Sequence, residues 1–434
     1  MSFFKRLFNH RVLLVTSALV IVNVHGYALK KQTYIKPIVV SVSNSFYDGP
    51  AISDSGQQLV FRGNQKNKPV IYLSQLKQGN WSAPQAIITT STAIKGAGAH
   101  FVNFAKASQS GGSVNFNGPM IENNIITFAA QLNNGKTGVF YAQYLNKHWE
   151  TALIRQTGDK IGKYSIASFD APYVSQGHIY FLTKLKNTKN KDQSIKAVLE
   201  FNPNINKLAE VAISKLSSQK GLHDFWDMSV NSGQFALRAT IDKKQNKQNV
   251  YVYNDKHVFS PVFSLNKHFK NISFGGPTYF RYSHHDYVAN LVLFHKGKKI
   301  SSYKIYTNII PNFPWIKSGD SVGNSTFELV GNPTLSIHNG VASMVFQGVT
   351  KVKSDNNQTR VGAFLTSFKL PKGNQKSEIS IKPIIVSGDK IPDLGTVNKV
   401  LVGPVSLRNN TAVLSVELKS NKYALLIINI NEDK

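Results

Sequence analysis

Three Gly-Asp pairs, Gly158-Asp159, Gly319-Asp320 and Gly388-Asp389, place a carboxylate at three similar points along the chain. Gathered around one axis, Asp159, Asp320 and Asp389 could ring a cation or bind the hydroxyls of a sugar. Gly-Asp is also a good turn, in which the carboxylate bonds backbone N–H groups nearby, and that is the commoner use. His223-Asp224 lies just ahead of Trp226. An imidazole beside a carboxylate suits general-base work, but no third partner is in sight. His284-His285-Asp286 is the densest cluster of metal-ligating types. Strand neighbours point to opposite faces, so these two histidines converge only within a turn. The candidate ligand-binding residues are therefore Asp159, Asp320, Asp389, His223, Asp224 and Trp226. No catalytic residue, metal site or cofactor is assigned.

The absent chemistry is as informative. The 434 residues contain no cysteine, which removes disulfides, thiolate zinc sites and cysteine nucleophiles together. There is no Gly-x-Ser-x-Gly elbow and no His-Glu-x-x-His, and Gly96-Ala97-Gly98 lacks the Gly-Lys-Ser/Thr of a phosphate loop. Charge is the strongest chemical signal: 51 Lys and Arg stand against 23 Asp and Glu, a net of +28. Such a field attracts polyanions. Lysines gather at 184–196, 243–247, 296–299 and 351–353, mostly where turns are expected, so a solvated rim is the plain alternative. Lys296, Lys298 and Lys299 form the tightest group and are the candidate polyanion-binding residues.

The elements that must position these residues repeat. A small residue plus Pro, an alternating apolar run, a Gly or Asn turn and a second apolar run recur from Gly49-Pro50 to Gly403-Pro404. Six steps over 354 residues give a mean of 59, and seven such units tile the chain without room for a second domain. Each unit also holds a third and a fourth β-branched or aromatic run. Period-two alternation with Gly/Asn turns signals strands, and no helical period exceeds two turns beyond the N-terminal segment. The reading is all-β: a single seven-bladed β-propeller with four-stranded antiparallel blades. The last unit ends after its third strand, Tyr423 to Ile430. An orphan strand, Ile35 to Ser41 (IKPIVVS), matches the fourth strand of unit six, Ile381 to Ser387 (IKPIIVS), at six of seven positions. Residues 29–42 are thus expected to close the last blade and remove exposed sheet edges. The longest irregular stretch is 89–117, expected to be a loop over one face of the ring.

Residues 1–28 read as a secretory signal. Lys5, Arg6 and Arg11 precede the apolar run Val12 to Val22, and Gly26-Tyr27-Ala28 offers a cleavage site. The run is too short to span a bilayer, and retention as an uncleaved membrane anchor is the lesser alternative. The expected mature chain, 29–434, would retain a charge of +25, because three basic residues and no acids leave with the signal.

The first repeat, GPAISDSGQQLVFRGNQKNKPVIYL, with its turn Ser53-Asp54-Ser55-Gly56, resembles a TolB-type propeller repeat. The Gly-Asp hand-over is similar to repeats of exported bacterial propeller proteins. These resemblances imply fold and export to the periplasm or the extracellular space, not activity. The expected function is a non-enzymatic binding scaffold, acting as a monomer on an anionic polysaccharide, a lipid headgroup or an envelope protein, with no specific nucleic acid. The alternatives are a carbohydrate-active hydrolase or lyase and, more weakly, a TolB-like part of an envelope complex.

Overall fold

The computed structural model describes residues 38–43, 48–104, 118–190, 192–214, 221–242, 247–253, 258–263, 271–310, 313–370 and 379–430. The expected signal 1–28 lies outside them. Among the described residues there is no helix, and the strands form seven antiparallel sheets. Within each blade the strands are named A to D from the axis outward. Blade 4 shows the plan: A is His223–Asn231, B Gln234–Asp242, C Lys247–Tyr253 and D Phe259–Pro261. The A strands of successive blades touch in ring order, and that of blade 7 (Gly395–Arg408) returns to that of blade 1 (Asp48–Ile52).

Alternation along the strands sends apolar side chains to both faces of every blade, so the core divides into seven clusters, one per blade–blade interface. The interface of blades 1 and 2 stacks Phe128 on Phe140 and sets Phe101 and Phe104 edge-on to them. That of blades 5 and 6 sets Trp315 edge-on to Phe368 at 4.1 Å.

Ring closure takes the expected form. Strand Ile38–Ser43 pairs antiparallel with Tyr423–Asn429 and supplies strand D of blade 7. Its described bounds replace the expected 29–42, and residues 29–37 lie outside the described set. The blade 7/1 seam is tight: a Cβ on Gly403 would stand 2.7 Å from the Pro50 carbonyl oxygen. One expectation needs correction. The stretch 89–117 is not a single loop, because Phe101–Phe104 is a strand that pairs with Ile125–Leu132 of blade 2 beside Met120–Glu122. Two buried phenylalanines at positions 101 and 104 give that short segment enough apolar surface to join the sheet, despite the glycines around it.

Candidate functional site

Topology sorts the turns by face. Strand B runs back from the A–B turn, so all A–B turns share one end of the ring and all B–C turns the other. The D–A hand-overs join the B–C end: Thr188, Lys353 and Lys419 of B–C turns donate N–H groups to the carbonyls of Lys163, Asn324 and Thr396 at 3.0, 2.9 and 2.8 Å. Every blade carries exposed lysine in or beside its B–C turn: Lys66 and Lys68, Lys136, Lys189, Lys247, then Lys296 with Lys298 and Lys299, Lys353, and Lys419 with Lys422. The A–B turns, 53–57, 123–124, 176–177, 232–233, 283–284, 339–340 and 409–410, contain no lysine or arginine. The lysines at 243–244, in the same turn as Lys247, lie outside the described residues.

The Gly-Asp pairs occupy three D–A hand-overs and share one geometry. Gly158, Gly319 and Gly388 take φ of +93°, +92° and +96°, where a side chain would be strained. Asp159, Asp320 and Asp389 each turn an Oδ2 back to the N–H three residues earlier, on Gln156, Lys317 and Val386, at 3.1, 2.9 and 2.9 Å. Each Asp N–H in turn bonds the carbonyl of that same residue. These carboxylates hold their own turns. Burial raises the Asp389 carboxyl above its ordinary range, against the pull of the Val386 N–H and of Arg360. No group of three or more His, Asp or Glu among the described residues is placed to hold a metal ion. Of the histidine cluster, His284 sits in the A–B turn of blade 5, while His285 and Asp286 begin its strand B. Asp286 accepts the Tyr279 hydroxyl at 2.6 Å.

His223, Asp224 and Trp226 share strand A of blade 4 with an unusual backbone. The strand bulges twice, between His223 and Phe225 and between Trp226 and Met228. The extra residues are Asp224 and Asp227, at φ +41° and +46°, the only non-glycine residues with positive φ inside a described strand. Bulges re-aim side chains, and such strain gathers at functional sites. The half-buried Trp226 ring has two cations over it, Lys196 Nζ and Arg238 Cζ, each 5.3 Å from its centroid. Arg238 pairs with Asp227 at 2.6 Å, both side chains under 10% exposed. Burial pushes the Lys196 ammonium below its ordinary range, opposed by Asp170, Asp224 and Asp227. Lys196 lies near the B–C end of strand C of blade 3 (Ser194–Asn202), so this cluster stands near the lysine-bearing end. His223 itself is buried beside Thr240. Sequence reasoning found Trp226 and Asp224 but not Lys196, Arg238 or Asp170 as their companions.

The A–B end carries a polar knot. Asp54 accepts Arg408 Nε at 2.6 Å and Asn231 Nδ2 at 3.3 Å, and its carbonyl accepts Asn409 Nδ2 at 2.6 Å. Glu122 accepts the Gln176 N–H at 2.7 Å. Burial first, then the Asp54 charge, lifts the Glu122 carboxyl to about 7, while the Gln176 N–H and Arg408 pull the other way.

No protein-family model matches the chain, and no curated protein matches it. Solved propeller structures do. The WD40 domain of SCAP from fission yeast matches at 9% identity over 92% of this chain and 98% of its own, with a TM-score of 0.39. The Dos1 propeller matches at 10% identity over 88% and 77%, with a TM-score of 0.35. The polysaccharide lyase Uly1 matches at 10% identity over 96% and 94%, with a TM-score of 0.46. At these identities the chain shares with them a fold and nothing finer.

Proposed function

We propose that the protein is an exported, monomeric, non-enzymatic binding scaffold that presents its B–C end to an anionic polysaccharide. The observation carrying this reading is the placement of charge: all seven blades place exposed lysine at the B–C turns, whereas no A–B turn holds lysine or arginine and the exposed lysines of that end, such as Lys77, Lys147 and Lys207, stand in C–D connections. A ring of ammonium groups around one end of the propeller fits an extended polyanion, because successive blades each add charge attraction along its length. The N-terminal signal-like segment supports export, where acidic polysaccharide is an available partner. The hydrolase or lyase reading has less to draw on, since Asp159, Asp320 and Asp389 each spend an oxygen on their own turn.

The test is binding to heparin and to phosphatidylglycerol vesicles across salt. Screening shortens from about 10 Å at 0.1 M to about 3 Å at 1 M, so heparin binding should fall steeply over that range and exceed vesicle binding. Binding to vesicles alone would move the partner to a lipid surface, and binding to neither would reject the reading.

A further inference from the structure

We propose that the cleft between blades 3 and 4 at the A–B end binds a small molecule through a primary ammonium group. This site lies at the end opposite to the lysine turns and prefers the opposite charge. Its volume is about 320 Å³, at the small end of ligand pockets. Blade 3 contributes Glu200, His178 and Tyr180, blade 4 contributes Phe235 and Tyr253, and the Ser232 turn closes one side. No lysine or arginine lines it, in a chain that carries 51.

The lining favours a cation that brings N–H donors. Glu200 is bonded to His178 Nδ1, and Asn202 Nδ2 lies 3.2 Å from His178 Nε2. With the Asn202 amide donating, the ring proton sits on Nδ1 and goes to Glu200, so the pair keeps a negative charge. The Tyr180 hydroxyl is spent on the Gly233 carbonyl at 3.2 Å, and the Ser232 hydroxyl on Asn231 Oδ1 at 3.2 Å. Those two hydroxyl oxygens are left as acceptors. Burial first, then the charge and hydrogen bonding of Glu200, keep the Tyr180 phenol above its ordinary range, which places the Glu200 carboxylate beside that hydroxyl. Tyr253 stacks on Phe235 with centroids 4.9 Å apart and planes at 12°. That holds an aromatic wall in place, and ring faces attract ammonium groups. A neutral polyol gains nothing from the carboxylate that water does not already supply, whereas an ammonium gains charge-assisted bonds.

The experiment titrates the full chain with glucosamine and cadaverine, and with their neutral counterparts glucose and pentanediol, by calorimetry and by NMR of the histidine rings. The amines should bind with saturation and perturb His178, and the neutral partners should bind at least about tenfold more weakly, the difference a charge-assisted bond supplies. Whether glucosamine or cadaverine binds tighter tells an amino sugar from a linear amine. Glu200→Gln should lower amine affinity by a similar factor. Ser232→Lys places a competing ammonium in a half-buried turn at the cleft's edge and should do the same, with the thermal midpoint of each variant measured alongside, which keeps the test valid if Glu200→Gln disturbs folding. Equal binding of the neutral partners, no binding by either amine, or amine affinity untouched by Ser232→Lys would overturn the proposal.

Discussion

Asn231 and Asp54 are 177 residues apart and stand in blades 4 and 1, yet the Asn231 amide donates to the Asp54 carboxylate at 3.3 Å. Two blades lie between them by the shorter way round the ring and three by the longer, so the bond reaches across the axis. Arg408 of blade 7, with a side chain only 4% exposed, donates to the other Asp54 oxygen. One carboxylate therefore links three blades that share no strand pairing.

Removing that carboxylate leaves the buried Arg408 guanidinium without its counter-charge. Asp54→Ala should destabilise the fold by about 2 kcal/mol, the range for hydrogen bonds to charged groups. Chemical denaturation of Asp54→Ala, Asn231→Ala and the double variant measures the coupling, which should be about 0.5–1 kcal/mol. Strictly additive losses would mean the cross-axis bond contributes nothing.

Glu122 makes stability depend on pH with a definite sign. Its folded carboxyl titrates near 7, above the ordinary 4.5, so between those values the native state holds more protons than the unfolded chain. The contribution of this group is fullest below about 4.5 and is lost as pH rises through about 7. Glu122→Gln should therefore flatten this part of the pH profile and raise stability above pH 7 by an amount on the order of 1 kcal/mol. Thermal midpoints of both proteins from pH 4 to 8 test it, and a gap between them that stays constant with pH would count against the buried, proton-holding carboxyl.

Closure of the ring rests on Ile38–Ser43 pairing with Tyr423–Asn429. Deleting residues 29–43 should uncover a sheet edge and cost several kcal/mol, enough to threaten a fold of ordinary stability. Unchanged urea unfolding after the deletion would contradict closure by this strand.

Much of the fold was legible because it repeats. Each blade writes its own alternation and turn, and the likeness of 35–41 to 381–387 marks a fourth strand at the wrong end of the chain. The Gly-Asp turns were legible as turns for the same local reason. The companions of Trp226 were not. Two bulges in one strand set its neighbours, and a bulge leaves no mark in an alternating pattern when the inserted residue is an ordinary aspartate. Lys196 and Arg238 come from a neighbouring blade and a neighbouring strand. Nor could the lysines be sorted by face, because A–B and B–C turns look alike until strand order is known.

The direct test of the lysine-bearing end compares two triple substitutions of equal charge. Lys296, Lys298 and Lys299 lie at the B–C turn of blade 5, whereas Lys77, Lys147 and Lys207 are equally exposed in C–D connections at the other end. Heparin affinity should be measured at 0.1 M salt for both sets changed to Gln, a salt at which screening extends to about 10 Å and leaves local charge visible. A polyanion site at the B–C end predicts a loss of about fivefold or more for the first set, about 1 kcal/mol, and of less than about twofold for the second. Equal losses for the two sets would contradict the account, because binding would then follow total charge and no face of the ring would be special.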